Sequence, residues 1–133
     1  MSDVRTQDEA AIQAVLAASY DAWAAGDAAG MVADYAEDAT AILPGSVRAG
    51  REAIRLSMAA AFAGPLKDTS TYNEQLGLRF LGNDTAILIS ESGILFAGQT
   101  EVPEEEKVHA TWVLHKRAGR WIIAAYHNCP VLA

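Results

Sequence analysis

Near Gly64-Pro65 the apolar residues of this chain change period, and that change restricts the fold more than any single motif does. Before it, Ile12, Val15, Leu16, Ser19, Tyr20 and Trp23 recur at three- and four-residue steps, and Ile54, Met58 and Phe62 repeat every four; both are the spacing of one helical face. After it, Thr69 to Phe80, Thr85 to Phe96, Val108 to Arg117 and Arg120 to Asn128 are rich in Thr, Ile, Val and aromatics. They are separated by Gly82-Asn83-Asp84, an acidic loop and Ala118-Gly119, and read as the four strands of an antiparallel meander. Helices first and strands second imply α+β architecture, three N-terminal helices covering one face of a curved, mostly antiparallel sheet.

The helical half divides at its own punctuation. Thr6-Gln7-Asp8-Glu9 has the spacing of a capping box and predicts a helix start, and Gly26 suits a left-handed stop. Asp27 then caps a second helix whose buried side is Met31, Val32 and Tyr35, ending at Glu37-Asp38. Thr40 to Leu43 reads as a short strand closed by a Pro44-Gly45 turn, and Gly50-Arg51-Glu52 opens a third helix that Gly64-Pro65 stops. Two helices folded back at so tight a corner must cover something. Tyr20, Trp23, Met31 and Tyr35, all within that corner, are the size of residue that lines a cavity.

With 133 residues and 51% apolar composition, the chain is expected to form one domain over 1–133 with a core that needs neither disulfide nor metal. A formal charge of -7 repels phosphate backbones, and the basic residues form no stripe, so nucleic acid is not an expected partner. No apolar run spans a bilayer, so no membrane association is expected, and the start MSDVRTQDEAAIQ lacks the charged and apolar regions of a secretory signal; a cytoplasmic protein is the simplest reading. Cys129 has no partner for an internal disulfide, and no Cys/His spacing suits a metal. Phosphate-binding loops and nucleophile elbows are absent too, so the expected cofactor is none.

A two-residue turn at Ala118-Gly119 pairs Leu114 with Ile123, Trp112 with Ala125 and Ala110 with His127, and these are taken as the inward face; a bulge at Gly119 would exchange the two faces. The other face carries His109, Thr111, Val113, His115, Ile122, Ala124, Tyr126 and Asn128, too apolar to be simply solvated, which suggests a homodimer through the outer sheet. The acidic run Glu101 to Lys107 reads as a solvated loop or a rim over the cavity mouth. Asp27 and Asp38 sit at predicted helix ends and are assigned to caps and turns. Tyr20, Trp23, Tyr35, Met58, Phe62 and Trp112 converge on one cavity; each alone reads as core, and together they suit a flat or polycyclic apolar ligand.

Four motifs in order, Trp23-Ala-Ala-Gly26-Asp27, Tyr35-Ala-Glu-Asp38-Ala39-Thr40, Gly50-Arg51-Glu52-Ala53-Ile54 and Gly119-Arg120-Trp121 through His127-Asn128, resemble the SnoaL-like branch of the nuclear transport factor 2-like superfamily. More closely the chain resembles the SgcJ/EcaC-type subgroup, which includes proteins encoded with enediyne and other polyketide pathways. The resemblance implies a cone-shaped α+β barrel, a deep apolar pocket and frequent dimerisation through the sheet. It does not carry over isomerase activity. The aspartate of ketosteroid isomerases is matched by Leu43, their tyrosine by Ser19 with Tyr20 one step off, and their protonated acid by Thr111 and Trp112. Dehydratase-like relatives use pocket-facing His and Asp, for which the candidates here are His127 and Glu91. Each has a plainer alternative, a hydrogen-bonded histidine near a strand end and a surface or interface acid.

Three functions follow. The first is a carrier or sequestration protein for a hydrophobic polyketide-type compound, the second a cofactor-independent cyclase, isomerase or hydrolase using His127 and Glu91 for acid-base catalysis. The third is a purely structural association domain, which a cone filled by its own side chains would favour.

Overall fold

The computed structural model describes residues 2–132, with side chains over 4–132. Helix α1 (Ser2–Ala24) is followed by a single turn, α2 (Ala28–Met31), then β1 (Tyr35–Leu43), β2 (Ser46–Ala49) and α3 (Arg51–Ala63). Four long strands complete the chain: β3 (Ser70–Phe80), β4 (Thr85–Leu95), β5 (Val108–Arg117) and β6 (Arg120–Pro130). The six strands form one sheet in the order β2-β1-β6-β5-β4-β3, antiparallel except where β1 runs parallel to β6. Helix α1 lies against β3 and β6, α3 against β1, and α2 links the two helices. Between them is a core in which Ile12, Ile54, Leu114 and Ile123 are essentially sealed from water. The architecture is the α+β arrangement of helices on a curved, mostly antiparallel sheet that the change of period predicts. No described helix is long and apolar enough to cross a membrane.

Local boundaries depart from the sequence reading where tertiary contacts outweigh local signals. Helix α1 begins four residues before Thr6, so the capping-box residues lie inside it. Its first turns are held by the sheet: Arg5 stacks 3.9 Å from the Phe80 ring centroid, and the Asp8 carboxylate accepts hydrogen bonds from Trp121 and Lys116. The second helix stops at Met31 rather than near Asp38. Asp27 does cap it, accepting from the Gly30 amide at 2.9 Å, but Tyr35 already belongs to β1, pairing with Ile123. The parallel partner β6 captures this segment, through Ile123 N–H to the Asp34 carbonyl, before a second helical turn can form. Asp38 is therefore an exposed strand residue rather than a helix end. Beyond the Pro44-Gly45 turn, and before α3, the chain forms the further strand β2 at the sheet edge.

The last hairpin carries the correction with most bearing on function. Its two-residue turn is as expected, Arg117 opposite Arg120 with Ala118 at φ 50° and Gly119 at φ 76°, the paired positive angles of a type I′ turn. Leu114 also faces Ile123 as expected, but the register then slips by one, and Val113 pairs with Ala125. Ala124 is the extra residue of a bulge in β6. Beyond a bulge every side chain changes face. Trp112 consequently sits opposite Tyr126 and Ala110 opposite Asn128, so Tyr126 and Asn128 point inward while Ala125 and His127 point outward.

Candidate functional site

The cone is open inside. A cavity of about 290 Å³ lies between α1, α3 and the concave face of the sheet. Of the residues expected to line it, Tyr20, Trp23, Tyr35, Met58 and Trp112 do so. Phe62 stands behind that wall, packed edge-on against Trp23 with ring centroids 5.4 Å apart. Met31, Leu43, Ile54, Leu66 and Ile94 complete an apolar lining, and Thr71, Asn73 and Ser92 add polar atoms from β3 and β4. Tyr126 and Asn128, assigned outward from sequence, are the main inward polar residues; the Ala124 bulge that turns them carries no glycine or proline to signal it.

The aromatic wall is rigid and its polar tips are unevenly paired. Trp112 packs on Tyr126 at 4.4 Å between ring centroids and edge-on against Tyr20 at 6.1 Å. Trp23 Nε1 donates to Thr69 Oγ1 at 2.9 Å, fixing that indole, and Ser19 Oγ donates to the Met31 carbonyl at 2.9 Å, closing the α1–α2 corner. Asn128 Nδ2 donates to the Tyr126 hydroxyl at 2.8 Å. By contrast, Trp112 Nε1 and Asn128 Oδ1 are buried without any partner among the described residues. Whichever way the Asn128 amide is turned, one of its ends is unpaired. Leaving such groups dry costs about 1–3 kcal/mol each, so a built site normally matches them with something.

Burial raises the pKa of Tyr20, Tyr35 and Tyr126, with the neighbouring tyrosines reinforcing it for Tyr20 and Tyr35; hydrogen bonding from Asn128 partly opposes it for Tyr126. All three stay protonated at neutral pH and offer hydrogen bonds rather than negative charge.

The two acid-base candidates are not in this cavity. His127 is exposed on the outer face of β6, opposite Thr111. Glu91 also projects outward from β4, opposite His109; its carboxylate accepts from the Tyr72 hydroxyl at 3.1 Å and lies 3.4 Å from Lys107 Nζ. This corrects the inward placement of His127 and answers the open question for Glu91, which is a partnered acid on the sheet's outer surface. Hydrogen bonding to Glu74, then burial and Glu91, raises Tyr72 to about 12, and Glu104 with Glu91 raises Lys107 to about 12. His109 and His115 lie on the same outer face.

The acidic loop is a rim, and it is pinned. Glu106 and Val108 reach the cavity, and Val102 is buried against Gly93. A Cβ on Gly93 would stand 2.5 Å from Val102 Cγ1, so the missing side chain is what lets the loop seat on β4.

The helices packed into a sheet with one parallel pairing, and the cone they enclose, define a nuclear transport factor 2-like fold. Within it, the SnoaL-like domain family matches residues 12–132, and the chain belongs to that family. Comparison with curated proteins finds no match. Among solved structures, a domain of unknown function with a cystatin-like fold from Nostoc punctiforme is 29% identical, with TM-score 0.87 over 96% of this chain and 80% of the other. A nuclear transport factor 2-like protein from Novosphingobium aromaticivorans shows 17% identity and TM-score 0.82, covering 96% and 84%. The hexachlorocyclohexane dehydrochlorinase LinA-type3 of Novosphingobium barchaimii shows 18% and 0.78, covering 97% and 90%. The last two likenesses concern the fold alone.

Proposed function

We propose that this chain binds a flat, oxygen-bearing apolar compound of the polyketide type, enediyne intermediates included, as a carrier or sequestration protein of secondary metabolism. The observation that carries this reading is the pair of unpartnered buried atoms, Trp112 Nε1 and Asn128 Oδ1, in a cavity otherwise lined by rings and aliphatic side chains. A carbonyl and a hydroxyl on one planar ligand would satisfy both, while Tyr20, Trp23, Tyr35, Met58 and Trp112 cover its faces. The enzymatic alternative, supported at the level of fold by the dehydrochlorinase, loses its expected acid and base: His127 and Glu91 leave the sheet on the side away from the cavity.

Titrating a dihydroxyanthraquinone while following tryptophan fluorescence is expected to give saturable quenching, and the recovered ligand is expected to be unchanged. Trp112→Phe keeps the ring packing but removes the N–H donor, and should weaken binding by roughly threefold to tenfold. A converted ligand defeats the carrier reading; full affinity in the Phe variant defeats the assigned role of the indole.

We further propose that a second copy covers the outer sheet face. Ile87 and Val113 are cross-strand partners there, Ile89 and Ile122 flank them, and all are half-buried in the single chain, whereas a solvated sheet face carries mostly polar residues. Sedimentation is expected to give twice the 14.1 kDa chain mass, and Val113→Asp to give the monomer. A monomeric wild type at high concentration overturns this.

A further inference from the structure

One charged side chain in the cavity has no structural work assigned to it. Edge strand β2 alternates half-buried Ser46 and Arg48 with exposed Val47 and Ala49. Arg48 pairs with Ala41, which is buried on the cavity floor, so both side chains share the concave face. The Arg48 guanidinium lines the cavity, and its one hydrogen-bond partner among the described residues is Met58 Sδ, 3.4 Å from Nη1. A thioether is a weak acceptor, and a guanidinium carries five donors. No carboxylate within 4 Å pairs with it among the described residues, whereas Arg55, Lys107, Lys116 and Arg120 are each matched to an acid, Lys107 to two. The remaining charged lining residue, Glu106, belongs to the acidic rim and is exposed.

A half-buried guanidinium that faces an apolar space with only a thioether as acceptor is solvated on its open side alone and gains from an anion that joins it. The chain's formal charge of -7 provides no general attraction for anions, so any such binding must come from this residue. The fork of N–H donors matches a planar carboxylate in a bidentate arrangement. Arg48 also stands close enough to Tyr35 for its charge to oppose, weakly, the rise in that tyrosine's pKa. The acid group of a ligand held there would thus lie at the β2 end of the cavity, with its ring system running toward Trp112 and Asn128.

Resting on the proposed binding of flat apolar compounds, we propose that Arg48 anchors a carboxylate, so that the preferred ligands are planar aromatic carboxylic acids rather than their neutral counterparts. Matched fluorescent probes test this: anthracene-2-carboxylate and anthracene-2-carboxamide, titrated at neutral pH into the full chain. The acid is expected to bind about tenfold more tightly than the amide. Arg48→Met keeps the length of the side chain and should reduce the acid's affinity to the amide's while leaving the amide within about twofold of wild type. Arg48→Lys keeps the charge but not the fork and should fall between. Thermal melts verify that each variant folds, and the wild-type preference is itself independent of any variant. Equal binding of acid and amide to wild type, or equal weakening of both by Arg48→Met, overturns the anchor and leaves the apolar pocket standing. If neither compound binds wild type, the pocket reading fails and the anchor fails with it.

Discussion

Asp8→Ala is expected to destabilise the fold by about 2–3 kcal/mol, a fall in Tm on the order of 10 °C. Asp8 lies two turns into α1, yet one of its oxygens accepts both Trp121 Nε1 and Lys116 Nζ, each at 3.0 Å, from the final hairpin. Trp121 is buried, so removing the carboxylate leaves its indole N–H without the acceptor the fold provides. Lys116 keeps partial access to solvent, so the loss stays below that of a fully buried broken ion pair. Asp8→Asn retains an acceptor for Trp121 and should lose about half as much. The indole hydrogen bond first, and then Lys116, hold the Asp8 carboxyl below the usual carboxylate range against the opposing effect of burial. A carboxyl depressed on folding contributes its full stability above its unfolded value of about 4, and the contribution is lost as pH falls through the lower folded value. Urea melts should therefore show wild type and Asp8→Asn converging as the solution is acidified below about pH 4. A constant difference across that range, or an Asp8→Ala protein that melts with wild type, defeats this account.

That contact also shows what was legible in the residues and what was not. The helical periods of α1 and α3, the strand periods, the Ala118-Gly119 and Pro44-Gly45 turns and the Asp27 cap are local signals, and each appears where the sequence places it. The start of α1 is set by Asp8 and Arg5 meeting residues more than seventy positions away, which no local pattern encodes. Tyr35 departs from the local signal for a related reason: its neighbourhood suits a helix, and only the parallel partner β6 makes it a strand. Tyr20 and Trp23 were readable as cavity residues because they share the inward face of one helix by their spacing, and Trp112 because it alternates with buried Ala110 and Leu114 along β5. Its polar members were not, since one inserted residue at Ala124 exchanges His127 for Tyr126 and Asn128. Arg48 was missed because a four-residue edge strand is too short to show its alternation.

Ala41→Phe is expected to abolish binding of flat aromatic compounds, by about a hundredfold or more, with little effect on stability. Ala41 is buried on the cavity floor between Arg48 and Tyr126, its register partners on β2 and β6. A cavity near 150 Å³ is enough to hold one benzene ring. The new phenyl would thus take about half of the 290 Å³ present and leave too little for a polycyclic ligand. Burying the ring gains about 1.5–3 kcal/mol, and forcing it among Tyr35, Met58 and Trp112 costs about 1–3 kcal/mol, so the two nearly offset. Ala61→Phe approaches the same space from α3 and separates loss of volume from damage to the sheet. If both variants fold and bind as wild type does, the ligand sits elsewhere. If both gain stability while wild type itself binds no aromatic compound, the open cone is a packing defect, and association through the outer sheet becomes the better account of what the domain does. A ligand lost from both variants but retained by Trp112→Phe at reduced affinity assigns the cavity its occupant and the indole only a share of the recognition.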